Sequence, residues 1–100
     1  MLFRSASLVL APVPGMNHCS GGPTADQFDM LTPLVNWVEK GVAPDSVTAS
    51  ARGAGNAGGV NASVPTAWSA ARTRPLCPYP KAAKYKGSGS IEDAANFACS

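Results

Sequence analysis

The 100-residue sequence has few charged residues, few aromatic residues and no long hydrophobic run. A membrane span needs roughly 20 consecutive apolar residues, and no stretch approaches that length, so the sequence predicts no membrane contact. The net charge of +2 is too small to favour nucleic acid. Because no recognition motif frames its tyrosines, we interpret the basic run Arg72 to Lys86 as a solvated face with no nucleic-acid partner.

Histidine and cysteine are also scarce, with His18 as the single histidine and only three cysteines, Cys19, Cys77 and Cys99. A zinc site would have to use these residues. The sequence contains no Cys-x2-Cys pair, and adjacent residues rarely both bind one tetrahedral ion, so we predict no metal site. A Cys19 nucleophile activated by His18 is also disfavoured, because nucleophile and base normally come from distant parts of a chain.

Glycine and proline are abundant, with ten and nine residues respectively, so the sequence predicts much turn and loop. The N-terminal segment Met1 to Pro14 carries one basic residue and a short apolar stretch that Pro12 and Pro14 interrupt. No convincing cleavage site follows that stretch. We therefore expect no signal peptide in this chain.

Hydrophobic patterning predicts a buried strand at Ser7 to Val13, followed by a loop and a helix. The helix is expected from Pro33 to Lys40, with Thr32 as its N-cap and Gly41 as its end. Because Trp37 falls on a different face from Leu34 and Val38, this helix is expected to pack between other elements.

Two further strands are predicted at Val47 to Ala49 and at Arg72 to Leu76, and they could pair with each other. The segment Arg52 to Pro65 between them is rich in Gly, Ala and Asn and is expected to be a flexible surface excursion. It contains the glycosylation pattern Asn61-Ala62-Ser63, which often arises by chance. A short helical segment capped by Ser90 is expected from Ser90 to Phe97.

The spacing of the cysteines suggests one disulfide bond. Cys77 and Cys99 lie 22 residues apart and bracket the tail of the chain, so their mutual bond is the simplest pairing. Closing a loop of that size contributes about 3 kcal/mol in the chain-entropy description. Cys19 is then left over, which implies a partner outside these residues.

His18 lies in the loop "PGMNHCSGGP", between the first predicted strand and the helix. A loop histidine can exchange protons near neutral pH, although a lone histidine can equally be a surface residue without a task. A histidine on a glycine-bracketed loop between a strand and a helix is the arrangement in which an α/β-hydrolase presents its catalytic histidine.

Three segments together resemble the C-terminal end of the tannase and feruloyl esterase family of α/β-hydrolases. They are "PGMNHCSGGP", "DQFDMLTPLVNWVEKGVAP" and "RTRPLCPYPKAAKYKGSGSIEDAANFAC", within residues 13–44 and 72–99. The resemblance implies an α/β fold in which residues 1–100 form the C-terminal segment of a single hydrolase domain. That incomplete domain would comprise the last strand, the histidine loop, the C-terminal helix and a loop-rich, disulfide-closed tail.

The resemblance also implies roles for individual residues. His18 matches the histidine of the catalytic triad, and Cys19 matches a cysteine that bonds to one adjoining the nucleophilic serine. Cys77 and Cys99 match the C-terminal disulfide of the family. The implied activity is carboxylic ester hydrolysis on an aromatic ester, by a secreted or periplasmic serine esterase.

The resemblance places the serine, the acid, the oxyanion hole and the lid domain with its calcium site upstream of this chain. The chain is therefore expected to hold no cofactor and to be inactive by itself. Its segment "FRSASLVLAPVPGM" also departs from the strand that precedes the histidine in the family. The alternative hypothesis is a non-catalytic, disulfide-stapled remnant or interaction module.

Overall fold

Two small antiparallel sheets and one α-helix make up the regular structure of residues 10–100, the part of the chain that this computed structural model describes. Helix α1 covers Leu31–Lys40, and strands β1 and β2 cover Val47–Ser50 and Thr73–Leu76. Strand β3 covers Ala83–Tyr85, a short 3-10 helix covers Ala94–Asn96, and strand β4 covers Phe97–Cys99. The predicted strand from residue 7 lies partly outside the described residues.

The predicted pairing of β1 with β2 is present, with Val47 opposite Leu76 and Ser50 opposite Thr73. The other edge of β1 is joined by Gln27, whose backbone exchanges hydrogen bonds of 3.1 and 2.8 Å with Ser50. Strand β1 is therefore held between β2 and the segment that directly follows the histidine loop.

The prediction of a helical segment from Ser90 to Phe97 is wrong in most of its length. Only Ala94–Asn96 are helical, and Asp93 rather than Ser90 caps them by accepting the N–H of Ala95. Phe97 begins β4, which pairs with β3, and its ring lies 5.6 Å from that of Tyr85. This aromatic pair favours a strand at a position where the local capping signals favour a helix.

Helix α1 begins two residues earlier than predicted because Asp29, not Thr32, accepts the N–H groups of its first turn. Pro33 is then the third helical residue, where a missing N–H costs no helical hydrogen bond. The helix ends at Gly41, as predicted, in a left-handed conformation with φ of 70°. No described helix is long and apolar enough to cross a membrane.

The expectation that α1 packs between other elements is wrong for the described residues. The helix contains no buried residue. Its aliphatic side chains are exposed, with Leu31 68% and Val38 78% accessible, and Trp37 is half-buried. The hydrophobic spacing of α1 therefore does not produce a packed face within residues 10–100.

Among residues 10–100 the core is small and consists mainly of Ala25, Ala49 and Leu76, with Val13 packed against them. No large side chain in the described part of the chain is fully buried. Residues 10–13, the described end of the predicted first strand, are not in a strand. Pro12 cannot donate a ladder hydrogen bond there, although the carbonyl of Leu10 accepts the N–H of Tyr79.

Candidate active site on the histidine loop

His18 and Cys19 lie at the exposed tip of residues 13–24, here called the histidine loop. Two backbone hydrogen bonds close the tip: Asn17 N donates to the Gly21 carbonyl at 3.0 Å, and Ser20 N donates to the His18 carbonyl at 2.9 Å. No hydrogen bond joins the His18 side chain to any residue between 10 and 100. Its imidazole is therefore open to an external partner.

Cys19 adopts a left-handed backbone conformation, with φ of 69°. Among non-glycine residues such a conformation costs about 1–2 kcal/mol. The surrounding loop must compensate for this strain, which occurs directly beside the histidine. Strained residues of this kind concentrate at functional sites.

The two ends of the histidine loop pass each other in close contact. A Cβ atom on Gly22 would lie 2.3 Å from the Gly15 carbonyl oxygen, and one on Gly15 would lie 2.8 Å from the Pro23 carbonyl oxygen. Both glycines also have positive φ, so the approach requires glycine at each position. The hydroxyl of Thr24 closes the same region by donating to the Pro14 carbonyl at 2.6 Å.

A buried ion pair holds the loop just after its tip. Asp26 Oδ2 accepts the Gly21 N–H at 2.7 Å. Arg52 donates to both carboxylate oxygens, from Nε at 2.9 Å and from Nη2 at 2.7 Å. The side chain of Asp26 is fully buried, while that of Arg52 is 21% exposed.

Hydrogen bonds from the Arg52 guanidinium lower the pKa of the Asp26 carboxyl below its ordinary value. Burial acts in the opposite direction, and the N–H of Gly21 adds to the lowering. The carboxylate is therefore charged throughout the neutral range in which a histidine can act as a base. Bidentate pairs of this kind fix geometry more strongly than a single charged hydrogen bond.

The expectation that Arg52 to Pro65 forms a loosely held excursion is wrong in part, because polar contacts anchor it to the histidine loop. Asn61 is buried, with 7% exposure, and its Nδ2 donates to the Gly22 carbonyl at 2.9 Å. Its Oδ1 accepts the N–H of Ser63 at 3.0 Å. The Asn61 amide is thus a structural group and is not presented for glycosylation.

The structure joins Cys77 and Cys99 by a disulfide, with 5.5 Å between their Cα atoms, and leaves Cys19 as an exposed free thiol. In residues 10–100 no three His, Cys, Asp or Glu residues come together in a way that could hold a metal ion. His18 and Cys19 thus lie together at the tip of the histidine loop, and the disulfide between Cys77 and Cys99 closes the C-terminal segment 77–99.

The basic run is not uniformly solvated. Lys81, Lys84 and Lys86 are exposed, whereas the two arginines are half-buried. Arg72 pairs with Glu92 through two hydrogen bonds of 2.7 Å, and these lower the pKa of Glu92 to about 2. The Arg72 guanidinium also lies 4.1 Å from the centre of the Trp68 ring.

Asp26, Arg52 and Asn61 escaped the sequence-based search for site residues. Arg52 lies 26 residues from Asp26, and no motif or period connects them. A single acid after a glycine-rich loop carries no distinctive signal either. Only the fold, which places the end of β1 beside the histidine loop, brings these groups together.

The proteins that this chain resembles are esterases and ester hydrolases. Residues 7–100 match the family described as "Tannase and feruloyl esterase", and the chain belongs to that family. The mono(2-hydroxyethyl) terephthalate hydrolase of Piscinibacter sakaiensis is 61% identical over 87 residues. A probable feruloyl esterase B-2 of Neosartorya fischeri is 36% identical over 102 residues.

The match covers most of this chain and a small part of each relative. It covers 87% of the chain and 13% of the terephthalate-ester hydrolase, and 88% of the chain and 18% of the feruloyl esterase. A solved esterase from Aspergillus oryzae superposes with a TM-score of 0.61 at 30% identity, over 86% of this chain and 18% of the esterase. The family match also includes residues 45–71, which the sequence resemblance had left out.

Proposed function

We propose that this chain supplies the catalytic histidine, His18, of a carboxylic ester hydrolase with an α/β-hydrolase fold. One observation carries the proposal. In a chain of the tannase and feruloyl esterase family, the sole histidine occupies the exposed tip of a loop whose backbone is fixed by glycine contacts and a buried ion pair. Such a loop presents an imidazole outward in a defined position, as a general base requires.

In the proposed reaction, a serine outside these residues attacks the ester carbonyl while His18 accepts its proton. Collapse of the tetrahedral intermediate expels the alcohol, to which the protonated His18 returns a proton. Water then attacks the acyl carbonyl while His18 accepts its proton, and the acid is released as His18 returns that proton to the serine oxygen. An acid that orients the imidazole and an oxyanion hole also come from outside the 100 residues.

The proposed substrate class is an aromatic carboxylic ester, because the named relatives include a terephthalate-ester hydrolase and feruloyl esterases. The Cys77–Cys99 disulfide suits a secreted or periplasmic setting. Calcium belongs to the lid that the family resemblance implies. The described residues offer no carboxylate cluster that would fit it, so no step is assigned to a metal.

The proposal is tested by a hybrid enzyme, in which the matched segment of the Piscinibacter hydrolase is replaced by the corresponding residues of this chain. We expect the hybrid to hydrolyse mono(2-hydroxyethyl) terephthalate, and the 100-residue chain to show no turnover of this or a feruloyl ester. Product release followed by chromatography measures both. A folded hybrid without activity would favour the interaction-module hypothesis. Turnover by the chain alone would contradict the proposal that the serine, the acid and the oxyanion hole lie outside these 100 residues.

We further propose that Cys19 bonds to a cysteine beside the nucleophilic serine. The thiol is exposed at the loop tip, next to His18, so one bond would fix the histidine loop against a neighbouring loop. Thiol titration without reductant is expected to find one free thiol in the 100-residue chain and none contributed by Cys19 in the hybrid. Peptide mapping that finds Cys19 bonded to Cys77 or Cys99 would refute this pairing.

A further inference from the structure

We propose that Asp26 and Arg52 are positioning residues for His18, an inference that rests on the proposed function. The two residues connect the tip of the histidine loop to the end of strand β1. Neither has a hydrogen bond to the imidazole, and both lie outside the set of residues that the family resemblance assigns to the reaction.

The connection can be followed group by group. Ser50 ends strand β1, and the next residue, Ala51, continues the pairing by donating its N–H to the Arg72 carbonyl at 2.9 Å. Arg52 therefore leaves the sheet from a fixed position. Its own carbonyl accepts the N–H of Asn61 at 2.8 Å, which fixes its backbone on the other side.

Arg52 in turn determines where the Asp26 carboxylate lies. The planar guanidinium donates two parallel hydrogen bonds to the carboxylate oxygens, which leaves the group little rotational freedom. Gln27, the next residue after Asp26, is bonded to Ser50 at the far edge of β1. The side chain of Asp26 and the backbone beside it are thus both anchored to strand β1 or its immediate continuation.

The carboxylate then fixes the tip of the loop through Gly21. Its Oδ2 accepts the Gly21 N–H, and the Gly21 carbonyl accepts the N–H of Asn17, the residue before His18. The backbone on both sides of the His18–Cys19 turn is consequently held by one fully buried carboxylate. Movement of that carboxylate would shift the imidazole, and a displacement of about 1 Å can lower a rate about 100-fold.

The chain contains a matched control in the pair formed by Arg72 and Glu92. That pair has the same two-bond geometry and the same 2.7 Å Nη2 to carboxylate distance, and it is also partly buried. Its carboxylate bonds the Ser69 N–H and has no hydrogen bond to the histidine loop. The two pairs use the same donor and acceptor groups, although Glu92 is 26% exposed and Asp26 is fully buried, and only the Asp26 pair is connected to His18.

The test compares Asp26→Asn with Glu92→Gln in the hybrid enzyme. Asparagine keeps the size of the side chain but places an N–H donor against either Arg52 or Gly21. We expect Asp26→Asn to lower kcat about 10- to 100-fold with KM changed less than about threefold, and Glu92→Gln to change both less than about twofold. Equal losses in the two variants, or no loss in either, would overturn the inference.

If Asp26→Asn prevents the hybrid from folding, a second variant tests whether the ion pair positions His18. Arg52→Lys keeps the positive charge and loses the planar fork, so it is expected to fold and to lower kcat about 3- to 10-fold. An unchanged kcat in a folded Arg52→Lys hybrid would refute the positioning role.

Hydrogen exchange in the 100-residue chain separates this inference from the proposed function. The Gly21 amide is expected to exchange faster in Asp26→Asn than in Glu92→Gln, whatever the fate of the activity. If the Gly21 amide exchanges faster in Asp26→Asn while His18→Ala leaves the hybrid active, Asp26 fixes the loop but His18 is not the general base. If His18→Ala abolishes activity while Asp26→Asn behaves like Glu92→Gln, the catalytic assignment stands and the positioning role fails.

Discussion

Replacement of His18 by alanine in the hybrid enzyme is expected to lower kcat about 1,000-fold or more while KM changes little. Without the imidazole, no group accepts the proton of the attacking serine or returns one to the leaving alcohol. Steady-state kinetics on mono(2-hydroxyethyl) terephthalate measure the effect. The remaining activity would reflect substrate binding and the oxyanion hole alone.

The structure provides the control for this substitution. Because His18 is exposed and its side chain has no hydrogen bond to residues 10–100, His18→Ala is expected to leave the thermal unfolding midpoint of the 100-residue chain unchanged. Ser20→Ala, at the same loop tip, is expected to keep kcat within about threefold, because its hydroxyl has no proton-transfer role. A His18→Ala hybrid that retains a tenth of the original kcat would exclude His18 as the general base.

Removal of the Cys77–Cys99 disulfide is expected to unfold most of the isolated chain. The bond closes a loop with a sequence separation of 22, worth about 3 kcal/mol in the chain-entropy description. Within residues 10–100, the core that would have to compensate is a cluster of two alanines and a leucine with one valine beside them, and a further buried alanine, Ala51. A free energy of this size exceeds what so small a core can replace.

Circular dichroism of the Cys77→Ser/Cys99→Ser variant measures this loss. We expect the β-sheet signal to fall and the unfolding transition to disappear or to broaden at room temperature. Cys19→Ser is the matched control, because Cys19 is free in this chain and its loss breaks no bond. An unfolding midpoint within a few degrees of the original in the double variant would show that the sheets do not depend on the Cys77–Cys99 disulfide.

The sequence was sufficient to predict the features that depend on neighbouring residues. Gly41 ends the helix, and the β-branched and apolar residues of Val47–Ser50 and Thr73–Leu76 form the paired strands. These predictions succeed because backbone preference and hydrophobic pattern agree at each position.

The errors occur where long-range contacts override the local signal. Ser90 and the acidic residues after it favour a helix start, yet Phe97 pairs across the sheet with Tyr85 and the disulfide fixes Cys99 in β4. The apolar residues of α1 predict burial, but the described residues do not cover them.

The residues of the candidate site also differ in whether the sequence alone could identify them. His18 and Cys19 were identifiable from their rarity and from the glycine-rich loop that contains them. The Asp26–Arg52 pair and Asn61 were not, because each joins positions 26 or 39 residues apart through contacts that exist only in the folded chain. Charge and amide groups on a surface-type segment give no indication of such contacts before the fold is known.

Free imidazole added to the His18→Ala hybrid shows whether His18 is the general base. The truncated side chain leaves space for an imidazole molecule at the loop tip, so ester turnover is expected to rise with imidazole concentration above the uncatalysed background. Asp26→Asn, which retains His18, should show no such increase. A His18→Ala hybrid that retains its fold and substrate affinity, but whose turnover does not respond to imidazole, would show that His18 is not the general base.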